Sequence, residues 1–82
     1  MPVITSFYGI IVKMYFREHG NAHFHVLYGE YNGVFSIDTL EMIEGDLPNR
    51  AQKLVYEWPH QYQKDLNDMW TGKGYRKLPG LE

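Results

Sequence analysis

No cysteine occurs among the 82 residues, so neither a disulfide framework nor a thiolate metal site can supplement the core, and a cysteine nucleophile is excluded. No apolar stretch approaches the roughly 18 residues needed to cross a bilayer, and the N-terminus lacks the basic-then-apolar pattern of a secretory leader. A cytoplasmic chain with no membrane partner is the expectation. Excess charge is also missing: eight Lys and Arg stand against ten Asp and Glu, for a formal net charge of −2. That balance lacks the global positive field with which a strongly basic domain draws nucleic acid. There are no internal repeats or low-complexity linkers, and the length suits one domain rather than two.

What the chain does have is rings. Four Phe, seven Tyr and two Trp make it 16% aromatic, and large rings let a short chain bury much apolar area per ordered residue. Size scaling gives a folded surface of about 5,000 Å², with about 64% of the extended chain's surface buried. Tyr and Trp also favour interfaces, so part of this richness would suit a partner. Charge is unevenly placed. Glu30, Asp38, Glu41, Glu44 and Asp46 fall in a stretch without a basic residue, which reads as a solvated edge, whereas Lys73, Arg76 and Lys77 cluster near the end.

Residues 7–17 are rich in β-branched and aromatic side chains and read as a strand. Period 2 places Tyr8, Ile10, Val12, Met14 and Phe16 on a core face and Gly9, Ile11, Lys13, Tyr15 and Arg17 opposite. His19-Gly20-Asn21 is a turn signal leading into an antiparallel strand over 22–28, where Phe24, Val26 and Tyr28 alternate with His23, His25 and Leu27. After Gly29-Glu30 a third strand spans 31–37, with a short fourth near Leu40 to Ile43. Gly45-Asp46-Leu47-Pro48 resembles a helix start, with Asp46 accepting free N–H groups. From there Leu47, Ala51, Leu54, Val55, Trp58, Tyr62, Leu66, Met69 and Trp70 recur at helical spacing as one apolar stripe. Pro59 interrupts it and predicts a kink near Tyr56 or two abutting helices. The expectation is a single α+β domain over residues 1–72, a three- to four-stranded antiparallel meander packed on one long, proline-kinked C-terminal helix. Residues 73–82 form an extended or mobile tail.

Several motifs in order carry a resemblance: Phe7-Tyr8-Gly9-Ile10-Ile11-Val12-Lys13, then His19-x-x-x-His23-Phe24-His25-Val26, Tyr28-Gly29-Glu30, and Gly45-x-Leu47-Pro48-x-Arg50-Ala51 through Glu57-Trp58. Over about residues 1–70 the chain resembles the bacterial domain of unknown function 4160 family. It departs from that pattern at Gly20-Asn21-Ala22 and at Pro59. The resemblance implies a small bacterial or phage-borne protein, often encoded beside a second small family (domain of unknown function 2442) in an arrangement like that of toxin–antitoxin pairs. It implies no reaction.

His23 and His25 are the residues most open to a chemical reading. Two apart on a strand, they present imidazoles on one face about 7 Å apart, which can supply two metal ligands. His19 would be a third ligand and Asp38 or Glu30 a carboxylate; zinc or iron suits that donor set. No other cofactor is expected. A metal-independent reading takes His23, His25, Tyr15 and Arg17 as a catalytic group for RNA phosphodiester cleavage. One His would accept the ribose 2′-hydroxyl proton, the other or Tyr15 would protonate the leaving oxygen, and Arg17 with Lys13 would stabilise the charge. The plain alternative is hydrogen-bonded surface histidines beside solvated cations that protect an exposed strand. Trp58, Tyr62 and Trp70 would stack bases or a partner, or, in register with Leu54 and Leu66, line the core; His60 is expected exposed.

Three functional classes follow. The leading one is a protein-interaction role in a toxin–antitoxin-like two-protein module, with a partner of the domain of unknown function 2442 type. The second is a small nuclease or metal-dependent hydrolase. The third is a homodimer that covers Ile11, Tyr15 and Leu27 on the sheet's second face.

Overall fold

The computed structural model of the chain describes residues 3–14 and 20–81. Tyr15, Phe16, Arg17 and His19 lie outside the described residues. Among those described, five strands form one antiparallel meander, β1 (Val3–Phe7), β2 (Ile10–Lys13), β3 (His23–Tyr28), β4 (Tyr31–Ser36) and β5 (Met42–Gly45), each beside its neighbour in sequence. Two helices follow, α1 (Asn49–Glu57) and α2 (Pro59–Trp70). The class is α+β as the sequence predicts, but the three to four strands become five and the one long helix becomes two.

The additional strand comes from Tyr8-Gly9. Both residues have positive φ, 49° and 80°, the conformation of a two-residue hairpin turn whose twist matches its strands. The apparent single strand over 7–17 is therefore split, and Tyr8 is 60% exposed rather than in the core. Beyond the turn the period holds, with Ile10, Val12 and Met14 fully buried. At the other end Leu40 takes φ 63° and donates its N–H to the Ser36 carbonyl at 2.8 Å. This turn delays the last strand to Met42, and a register shift opposite Val34 and Phe35 leaves Ile43 as an extra residue in β5.

Asp46 does not cap the helix. Its Oδ1 accepts the Asn32 N–H at 3.1 Å, while its own N–H donates to the Asn32 carbonyl at 2.9 Å, so the residue extends the β4–β5 ladder. Helix α1 opens after Pro48 with no side-chain cap. At the far end Pro59 starts α2 in the first-turn position, where its missing N–H costs least. Of the two expectations at Pro59, two abutting helices is the one realised: Trp58 between them keeps helical angles (φ −62°, ψ −49°), and the kink falls not near Tyr56 but inside α2 at Tyr62 (φ −126°, ψ 17°).

The apolar stripe covers one sheet face as predicted. Leu47, Ala51, Val55, Trp58, Leu66 and Met69 are buried against Ile10, Val12, Phe24, Val26 and Phe35. Trp58 has no exposed surface, its ring lies 6.4 Å from Phe24, and its indole N–H donates to the Pro79 carbonyl at 2.7 Å. That acceptor belongs to the tail, which runs without helix or strand along β1. Leu78 N–H donates to the Ile4 carbonyl at 2.9 Å and Tyr75 Oη to the Val3 carbonyl at 2.5 Å. The accessible surface of 5147 Å² matches the size-scaling value.

Candidate functional site

The sheet's second face carries the histidines. Cross-strand register aligns Val3, Lys13, His25, Val34 and Glu44 in one row across all five strands. His23 lies two residues from His25 in the same strand, so both rings leave the face opposite Phe24 and Val26, with their centroids 5.2 Å apart. His23 Nδ1–H donates to the Asn21 carbonyl at 2.8 Å, which in a neutral ring places the lone pair on Nε2. The ring also sits 4.8 Å from that of Trp70. The end of α2 thus props the first histidine, and each histidine is half-buried.

Of the other residues assigned to this site, Lys13 is brought directly opposite His25. Tyr15, Arg17 and His19 lie outside the described residues. Glu30 is placed at the opposite end of β3, in the two-residue turn after Tyr28, roughly 16 Å from His25 at strand rise. Asp38 follows β4, and its carbonyl accepts Gln63 Nε2–H at 3.1 Å. Among the described residues, no three His, Asp or Glu side chains gather closely enough to hold a metal ion. Trp58 and Tyr62 pack ring against ring in the core at 5.3 Å and present no stacking platform. The cations near the end are drawn to α2: Arg76 pairs with Asp65 at 2.5 Å and Lys73 with Asp68 at 3.7 Å.

A second surface lies where β5 meets α1. Phe35 and Met42 form the floor of an open groove of about 510 Å³, with Gln52, Lys53 and Tyr56 on its helical wall. Tyr56 is 51% exposed and Ile43, on the adjoining strand, 60%. Single-chain reading missed this groove. Its one trace in the sequence is the acidic stretch around β5 combined with an isoleucine that the alternating pattern does not bury. No helix among the described residues is long and apolar enough to cross a membrane.

Residues 9–71 match the family described as a domain of unknown function (DUF4160). No curated protein and no solved structure matches the chain.

Proposed function

The chain belongs to the domain of unknown function 4160 family, and from its unequal sheet edges we propose that it is the interaction component of a cytoplasmic, bacterial or phage two-protein module of toxin–antitoxin type. The observation that carries this reading is the difference between β1 and β5. The β1 edge is covered by the chain's own tail through Leu78 and Tyr75, whereas β5 ends the strand order with an exposed isoleucine and a groove beside it. Proteins usually blunt a sheet edge that serves no partner. Co-expression with an adjacent gene product of the domain of unknown function 2442 type, followed by size-exclusion chromatography, tests it. Co-elution is expected; separate elution of every neighbour counts against the module.

A second reading, an RNA-cleaving or metal-dependent hydrolase, is favoured by the two imidazoles 5.2 Å apart with Lys13 across from His25. Two imidazoles in reach of one another can serve as a paired proton acceptor and donor, which is what such chemistry needs. Incubation with total RNA and elemental analysis for zinc separate its two forms. Loss of cleavage or of bound metal in His25→Ala would support it, and an intact RNA pool with a metal-free protein would oppose it.

A further inference from the structure

We infer that β5 is a strand-addition site for an extended segment of a partner protein in which apolar residues alternate with lysine or arginine. This deepens the interaction reading above and rests on it. Asp46 and Asn32 form one bonded rung of the β4–β5 ladder, and Ser36 donates to Glu41 at the other end. In an antiparallel pair bonded rungs alternate with rungs whose N–H and carbonyl groups point away from the neighbour. Met42, one residue inside the Ser36–Glu41 rung, therefore turns its backbone groups to the open side, where no strand lies among the described residues. An added strand would satisfy them and set its alternate side chains over Met42 and Tyr56 in the groove.

The charges select the occupant. Glu41, Glu44 and Asp46 are all exposed along this edge. A second copy paired β5 to β5 would bring these carboxylates against one another, and RNA would bring phosphate to them; both are repelled. Within the groove Lys53 is offset by Glu41, so charge does not decide there, and the Phe35, Met42 and Tyr56 surface favours an apolar side chain. The edge takes the cations. The bulge at Ile43 further penalises flat strands that do not bend with it, which serves specificity.

The test uses the full chain and two fluorescein-labelled synthetic peptides of equal length, one alternating lysine with valine and one alternating glutamate with valine. Anisotropy should show the basic peptide bound about tenfold tighter or more, from two or three favourable charge pairs. Hydrogen exchange should slow at the Met42 amide. Glu41→Lys combined with Glu44→Lys changes two exposed side chains and should reverse the peptide preference, while Ile43→Ser should weaken both peptides without reversing it. Equal binding of the two peptides, an unreversed preference, or slowed exchange on β2 and β3 instead would overturn the proposal. Co-elution of a neighbouring protein that persists in the double lysine variant sinks this site and leaves the module intact. Peptide bound at β5 with no co-eluting neighbour sustains the site and sinks the module.

Discussion

Left-handed backbone at a residue with a side chain costs about 1–2 kcal/mol, and Tyr8 holds it at the first of two turn positions (φ 49°). Its compensation is small, an edge-on contact with Phe7 at 6.3 Å made by a ring that is 60% exposed. Asparagine tolerates this conformation, and Asn-Gly is the strongest sequence for such a turn. Tyr8→Asn should therefore stabilise the protein by about 0.5–1 kcal/mol, a rise of roughly 4 °C in Tm for a domain of this size. A lower Tm would mean that the Phe7 contact outweighs the backbone strain. Gly45 presents the opposite case. Its φ is 128°, and an added Cβ would sit 2.4 Å from the Asn32 carbonyl oxygen and 2.5 Å from Gly33 Cα. Both are backbone atoms of the paired strand, so relief requires β4 and β5 to part. Gly45→Ala should cost on the order of 2–3 kcal/mol. Gly29→Ala, with positive φ but open space around it, should cost about 1 kcal/mol. Urea unfolding of the two variants separates strain from collision, and equal losses would refute the clash.

At the scale of elements, the parts legible in the sequence are those with a period. The stripe from Leu47 to Met69 repeats at helical spacing, so its buried face follows from one chain alone. Alternation in β3 likewise puts His23 and His25 together on the face away from Phe24 and Val26. What could not be read has no local signature. Tyr8 occupies a turn position usually marked by Asn or Gly, so the β1–β2 hairpin looks like one strand. Asp46 has the composition of a helix cap, yet Asn32, fourteen positions away, takes its carboxylate. The groove at β5 depends on how α1 crosses the sheet, which no spacing rule specifies. The helix-to-tail bond is non-local in the same way. Trp58→Phe keeps most of the buried ring but leaves the Pro79 carbonyl without its donor, which should cost about 1–3 kcal/mol. The effect should be directional: amide exchange at Leu78 should accelerate well before that at Val26. Uniform acceleration would show that Trp58 acts on the core alone.

Among the described residues the molecule is a sheet with one face covered by helices, one edge covered by its own tail and one edge open. Its radius of gyration of 11.4 Å is close to the roughly 11.7 Å of a compact chain of this length, so the tail lies within the body rather than trailing from it. Leu78, Tyr75 and Pro79 bond to Ile4, Val3 and Trp58, and Leu78 and Leu81 pack partly against the core. An uncovered outer strand is a template for pairing with another chain. Ending the chain after Gly74 strips β1 of this cover and should lower Tm while leaving the helices' stripe in place. The sharper expectation concerns association. With both edges open, one molecule can offer β1 to a second molecule, and that arrangement does not close on itself, so it grows with concentration. Light scattering of the shortened chain should therefore show mass rising with concentration more steeply than for the full chain. Adding a synthetic peptide of residues 75–82 in excess should reverse the rise by reoccupying the edge. Identical scattering from the two chains would mean that the tail braces Trp58 without guarding β1, and the contrast between the two edges would then no longer single out β5.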